Sequence, residues 1–378
     1  MSETTLSKSE LSRYARHLIL PEVGLVGQQK LKASKVLIIG TGGLGAPVGM
    51  YLSAAGIGTL GLVDFDTVDE SNLQRQIIHS TKNLGRLKVE SARERLQDIN
   101  PHVNVNLHPV SFNRDNALAI LTDYDIVVDC TDNFASRYLI NDACVLQGKP
   151  NVYGSIYRFE GQASVLGTPH SACYRCLYPE PPPRHLVPSC SESGVIGVLP
   201  GIIGSIQANE VIKLALDAGE TLANRLLLFN AWKMEFRELK FSRDPACPVC
   251  GDHPSITELQ DYESFCSMGA ETIDESIQET TCTELHAAIQ QGKDWQLIDV
   301  REEYEFSASA LPHSRNIPLQ TILRRITELD PTREVILLCQ AGIRSRSAAE
   351  SLRAANYTGT LRNLTGGLQA WSQQIYPL

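Results

Sequence analysis

Four of the ten cysteines fall as Cys173-x-x-Cys176 and Cys247-x-x-Cys250. Two such pairs offer four thiolates, the donor set of tetrahedral Zn2+, with no position left open for catalysis. A redox dithiol is the rival use of C-x-x-C, but two pairs without further site chemistry favour a structural metal. The long gap between the pairs requires the tertiary fold to bring them together. Two further cysteines stand apart. Cys190, in VPSCSESG, is flanked by proline and serines, which predicts a thiol on an exposed loop. Cys339 ends the strand-like EVILLC and precedes QAGIRSRSAAESLRAA, a loop running into a helix. Loop amides and a helix N-terminus around its sulfur favour a thiolate or another sulfur anion, and Gly342, Arg344 and Ser345 suit an anion cradle.

A second kind of chemistry belongs to GTGGLG, residues 40–45. Gly40, Gly42 and Gly45 form G-x-G-x-x-G between a strand and a helix, and Asp64 closes the next strand. Such glycines let a phosphate approach the helix N-terminus while the acid reaches a ribose hydroxyl. NAD and ATP both satisfy that description. SNLQRQ (71–76) and GRLKVES (85–91) then place Arg75 and Lys88 after the acid. Two cations in a glycine-loop domain suit a triphosphate better than a pyrophosphate. Asp132, in DCTDN, lies at the C-terminal end of a predicted strand, where it could ligate Mg2+ or cap the following helix.

The elements that must position these residues alternate in type. SKVLIIG (34–40), TLGLVDFD (59–66), VNVNLHPVS (103–111) and DIVVDCTDN (125–133) read as strands, and LKVESARERLQDINP (87–101) and SRYLINDACVLQGK read as helices. That pattern predicts an α/β fold, a Rossmann-like doubly wound sheet. IGVLPGIIGSIQANEVIKLALDAG (196–219) reads as a buried helix pair. Between Asp244 and Gly292 there is no Lys or Arg, and Asp, Glu, Ser and Thr are frequent, which predicts an acidic flexible linker over 254–280. A smaller α/β domain follows over 281–378, giving a first domain of 1–253. The net charge of −9 argues against nucleic acid as a partner, and no apolar run reaches membrane-spanning length. The N-terminus lacks the order of a signal peptide, so a cytoplasmic location is expected.

RYARHLIL, GTGGLG, DFDTVDESNLQRQ, GRLKVESA and DCTDN, in this order, resemble the MoeB/ThiF adenylyltransferases, relatives of the ubiquitin-activating enzymes. The likeness spans about residues 7 to 253. It implies ATP and Mg2+, a structural Zn2+ site, and a small ubiquitin-like sulfur-carrier protein with a C-terminal Gly-Gly as the substrate that is adenylated. Carried over, Gly43 sits at the phosphates and Asp64 on the ribose. Ser71, Asn72, Leu73, Gln74, Arg75 and Lys88 contact the nucleotide. Asp132 handles Mg2+ with Asn133 beside it. Arg16 matches a residue supplied from the opposing subunit, which implies a homodimer. Cys190 matches a crossover-loop cysteine with a thioester or disulfide role.

The loop from Cys339 to Arg344 is C-x4-R, one residue shorter than the phosphatase C-x5-R, and resembles that of the sulfurtransferase rhodanese. LIDVREEYEF (297–306), RNIPL (315–319) and LTGGLQAW (364–371) support the likeness, while ALPHSRNIPL departs from the H-I-P-G-A-like stretch such domains often carry. Asp299 and Arg301 are expected to stabilise internal turns. The fusion resembles MoeZ-like sulfur-carrier activating enzymes. It implies a persulfide on Cys339, fed by a sulfane-sulfur donor such as a cysteine desulfurase, that attacks the acyl-adenylate. Cys190 is the candidate second thiol. The carrier could serve molybdopterin, thiamine, cysteine or tRNA thiolation. Two other readings are an NAD-dependent oxidoreductase and a non-catalytic zinc-stabilised scaffold. Cys130 and Cys144 are expected in the core, and Cys266 and Cys282 are assigned no role.

Overall fold

The computed structural model describes residues 5–168, 171–181, 194–262 and 277–376. Cys190 and Cys266 lie outside them. The chain divides into two units, residues 1–269 and 270–378, each with its own sheet and core.

The first unit holds eight strands: β1 (Lys35–Ile39), β2 (Thr59–Val63), β3 (Asn104–His108), β4 (Ile126–Asp129), β5 (Asn151–Tyr157), β6 (Glu160–Leu166), β7 (Arg225–Asn230) and β8 (Glu235–Lys240). Their order is β3-β2-β1-β4-β5-β6-β7-β8. The first five are parallel and the last three antiparallel. Chain order reverses between β1 and β4, the switch point where ligands bind in open α/β sheets. KVLII, TLGLV and IVVD are apolar and β-branched because the sheet centre is covered on both faces. One core packs Leu52, Val89, Leu96 and Ile203 on one face, and another packs Leu121, Tyr138, Ile140 and Tyr153 on the other. The antiparallel continuation through β7 and β8 is not among the strands expected from the sequence.

One helix, Leu199–Leu216, replaces the expected pair. Gly201 and Gly204 do not break it. A Cβ at Gly204 would stand 2.4 Å from Pro47 Cγ and 2.7 Å from the Leu44 carbonyl, so glycine there permits close packing on helix Gly45–Ala55. The helix ends at Asp217, which is left-handed with φ 51°.

The second unit has strands β9 (Ile277–Thr280), β10 (Gln296–Asp299), β11 (Arg315–Asn316), β12 (Val335–Leu338) and β13 (Leu361–Leu364), all parallel in the order β11-β10-β12-β13-β9. Both ends of the segment 254–280, expected to be linker, belong to folded units. Tyr262 is buried in the first unit and its hydroxyl donates to Asp142 Oδ2 at 2.8 Å. Strand β9 lies along β13 in the second unit. No helix among the described residues is long and apolar enough to cross a membrane.

Candidate active sites and metal centre

The cleft at the switch point is lined by Gly40, Gly42, Gly43, Asp64, Arg75, Lys88, Asp132 and Asn133. The turn after β1 explains its glycines. Gly40 has φ 93°, and a Cβ on Gly45 would stand 2.1 Å from the Gly40 carbonyl oxygen, so no other residue fits the strand-to-helix turn. Asp64 is oriented by its own loop: Oδ2 accepts from the Thr41 N–H at 2.9 Å and the Thr41 hydroxyl at 3.0 Å, and Oδ1 accepts from the Asp66 N–H. Lys88 is buried and its ammonium pairs with Asp66 Oδ2 at 2.7 Å. Arg75 donates to the Ser71 carbonyl at 3.0 Å. The carboxylate of Asp132 is not the helix cap. Asn133 Oδ1 takes that role, accepting from the Ser136 N–H at 2.9 Å, so Asp132 stays exposed on the cleft.

Other expected contacts fall elsewhere. Gly45 shapes the turn without lining the cleft. Ser71 donates twice to Asp69, and Asn72 closes the same capping box. Leu73 and Gln74 are not on the cleft wall either; the backbone and side chain of Gln74 pack against Gly197. Arg16 is exposed on helix Ala15–Leu18 and is absent from the cleft.

Sequence reasoning missed Gln76, Arg137 and His79. Gln76 and Arg137 line the cleft. Arg137 lies over the rings of Phe134 and Tyr153, 5.4 and 5.8 Å from the centroids. Its position four residues after the Asn133 cap is the signal that could have found it. Below it, Asp129 is fully buried. Burial pushes its pKa up, and Arg137 opposes that. His79 sits under the glycine loop, its Nδ1 2.9 Å from Ser91 Oγ and its Nε2 3.2 Å from the Thr41 carbonyl. Burial, with Lys88 adding to it, lowers its pKa to about 4, so the ring is neutral and Nε2 carries the proton donated to Thr41.

The four expected metal ligands converge. The sulfurs of Cys173, Cys176, Cys247 and Cys250 all lie within 4.8 Å of one another, with adjacent separations of 3.3, 3.6 and 3.9 Å. Tetrahedral Zn2+ with Zn–S bonds of about 2.3 Å requires S···S near 3.8 Å, so the cluster fits a metal ion. The first knuckle is anchored through residues inside the C-x-x-C. Arg175 forms a bidentate pair with Asp142 (2.9 Å from each carboxylate oxygen), and the Tyr174 N–H donates to Asn141 Oδ1 at 2.6 Å. Both partners lie on helix Phe134–Leu146, which begins beside Asp132.

In the second unit Cys339 follows β12 and is 1% exposed. Its sulfur accepts from the Gly342 N–H at 3.1 Å and the Ser345 N–H at 3.4 Å, and the Ser345 hydroxyl lies 3.3 Å away. Gly342, at φ 87°, opens helix Ile343–Ala354 and aims these amides at the sulfur. Arg344, expected in the cradle, instead pairs with Glu305 at 2.7 and 2.8 Å. Arg301 is buried, paired with Asp299, and reaches Gln340 of the loop at 3.3 Å, as its expected stabilising role requires. Cys130 and Cys144 are core residues, and Cys282 is buried too.

Residues 14–249 match the ThiF family, and residues 281–374 match the Rhodanese-like domain. The chain belongs to the ThiF family. The probable adenylyltransferase/sulfurtransferase MoeZ of Mycobacterium tuberculosis (strain ATCC 25618 / H37Rv) is 44% identical over 382 residues, covering 99% of this chain and 96% of that protein. The adenylyltransferase and sulfurtransferase MOCS3 of Drosophila persimilis is 42% identical over 387 residues, 99% of this chain and 86% of its own length. Among solved structures, E. coli MccB shares the fold, with a TM-score of 0.59 at 24% identity over 67% of this chain and 75% of MccB. A crystal structure of E. coli MccB with ATP aligns at a TM-score of 0.56 and 24% identity, over 66% of this chain and 77% of that one. This ThiF-family chain is therefore an enzyme, an adenylyltransferase joined to a rhodanese-type sulfurtransferase. ThiF-type adenylation implies ATP and Mg2+, and the four-cysteine cluster could hold a metal ion.

Proposed function

We propose that this enzyme adenylates the C-terminal glycine of a small ubiquitin-like sulfur-carrier protein and converts it to a thiocarboxylate. The observation that carries the reading is the seat of the Cys339 sulfur. Two backbone amides converge on it in a chain that also holds a nucleotide cleft. A carrier carboxylate oxygen attacks the α-phosphorus of ATP and pyrophosphate leaves, which turns a poor acyl acceptor into an activated one. Arg75 and Lys88 face the phosphates, Asp64 the ribose, and the exposed Asp132 would hold Mg2+, which neutralises developing phosphate charge. Gly40, Gly42 and Gly43 admit the phosphates to the turn. Ser71, Asn72, Leu73 and Gln74 act at one remove, by shaping the loop that carries Arg75.

Cys339 takes sulfane sulfur from a donor such as a cysteine desulfurase persulfide, and the donor thiolate leaves. The terminal sulfur of the Cys339 persulfide then attacks the acyl carbon and AMP departs, leaving an acyl disulfide. A thiolate, for which Cys190 is the candidate, attacks the Cys339 sulfur, and the carrier leaves as a thiocarboxylate. A Cys190–Cys339 disulfide remains, and a dithiol reductant resets it. A thioester role for Cys190 is the alternative. Zn2+ is the metal of the four-cysteine cluster, holding Cys173 and Cys176 ahead of the segment that bears Cys190.

A homodimer, with Arg16 reaching the partner's cleft, is supported by the exposure of Arg16 and of Ile19, Leu20, Leu25 and Val26 near it. Free thiols as working groups fit a reducing cytoplasm. The limits 1–253 and 281–378 mark the two activities, while Tyr262 and strand β9, between them, belong to the folded units on either side. Carrier-dependent exchange between ATP and pyrophosphate tests the first half of the reaction. Tight NAD binding without ATP binding would overturn it, in favour of an oxidoreductase.

A further inference from the structure

The loop cation that the C-x4-R spacing offers to an anion is spent on a neighbour. Arg344 forms a bidentate pair with Glu305, at 2.7 and 2.8 Å, and the two side chains are only 17% and 20% exposed. Glu305 is itself fixed. Its Oε2 also accepts from the Glu302 N–H at 3.0 Å, closing the capping box of helix Glu303–Ala308. Arg344 in turn holds the Glu305 pKa below its ordinary value against the pull of burial. Among the described residues, what remains around Cys339 is neutral: two amides that donate to its sulfur, and the Ser345 oxygen 3.3 Å away. The Ser345 hydroxyl is bound in turn to Asn363 Oδ1 at 2.7 Å, and Asn363 is fixed by its Nδ2 donating to Glu279. Neutral dipoles suit a single negative charge on a persulfide sulfur. They offer little net attraction to a small dianion.

From this geometry we infer that Glu305 is a specificity-determining positioning residue of the sulfurtransferase site. By holding the Arg344 guanidinium it withholds a free cation from the loop, which biases Cys339 against small dianionic sulfur donors and toward a thiol-borne persulfide. The inference rests on the proposed role of Cys339 as sulfur acceptor. With thiosulfate the first step would be attack of the Cys339 thiolate on the sulfane sulfur. One S–S bond forms, the other breaks, and sulfite leaves with the bonding pair. Cyanide then takes the sulfane sulfur as thiocyanate and frees the thiolate.

The test is steady-state thiosulfate-to-cyanide sulfur transfer by the full chain, with KM and kcat measured separately. Glu305→Gln keeps an amide oxygen for the Glu302 N–H and removes the charge that holds Arg344. Its KM for thiosulfate is expected to fall about tenfold, with the gain erased at high salt. In an Arg344→Met background the same change should leave KM where Arg344→Met alone puts it. Glu305→Asp, which keeps the charge, should stay near wild type. An unchanged or raised KM in Glu305→Gln, or an equal drop in the Arg344→Met background, overturns the inference. Failure of the underlying role is distinguishable: Cys339→Ala would then retain thiocyanate formation in every background.

Discussion

His79 gives the nucleotide loop a dependence on pH whose size follows from its surroundings. The ring is buried beneath Thr41, donates to its carbonyl, and has its pKa lowered to about 4 from the 6.5 of a free side chain. In the unfolded chain the imidazole binds a proton as pH falls through about 6.5, while the folded chain refuses it until about 4. The folded pKa is the lower one, so stability is full above about 6.5 and is lost as pH falls toward 4. Each unit of separation is worth about 1.4 kcal/mol, so the loss between pH 8 and pH 5 is about 2 kcal/mol. Hydrogen exchange of the β1 amides, corrected for intrinsic rates, reads that loss within the first unit alone. In His79→Gln, which can still donate to Thr41, this part of the pH dependence should disappear. An equal loss in wild type and His79→Gln, or no loss in wild type, would refute the reasoning.

Lys88 brings a buried ammonium to the cleft beside Asp66. Lys88→Met should lower kcat/KM for ATP–pyrophosphate exchange by about 10- to 100-fold, the worth of a charge-assisted contact to phosphate, while far-ultraviolet circular dichroism stays unchanged. Arg175→Met leaves the fully buried Asp142 without its cation, and urea unfolding of the first unit should show a loss of about 3–5 kcal/mol. Adding Asp142→Asn should recover part of that loss. Removing bound metal with a chelator should release one Zn2+ per chain and lower the melting temperature of the first unit but not of the second. Cys250→Ser should reproduce the shift without chelator.

The glycine turn was legible because its signal is local. G-x-G-x-x-G, the strand before it and the acid after it lie within about thirty residues, and Gly40 and Gly45 answer to a φ or a contact that only glycine tolerates. The cysteine cluster was legible for a different reason. Four thiols of one chain have few other uses, although the helix that anchors them through Asp142 was not visible. Pairings set by the tertiary fold were hidden. Arg344 looked available because its partner Glu305 lies 39 residues away on another element. Residues 196–219 read as a helix pair, whereas they hold one helix, Leu199–Leu216, in which Gly204 is a contact surface for Leu44 and Pro47. The acidic stretch 254–280 read as uniform linker because composition averages over residues. Tyr262 and strand β9, each fixed by a partner distant in sequence, escaped that average. Only geometry showed that the helix cap falls to Asn133 and not to Asp132.

In the proposed reaction one chain adenylates a carrier and then supplies it with sulfur through Cys339. The direct measurement is intact-mass analysis of a Gly-Gly-ended sulfur carrier after incubation with the enzyme, ATP, Mg2+, a sulfane-sulfur donor and a dithiol. Wild type should convert the carrier to its thiocarboxylate. Cys339→Ala should accumulate acyl-adenylate and make no thiocarboxylate. Thiocarboxylate formed by Cys339→Ala at the wild-type rate, or formed by wild type without ATP, would contradict the account.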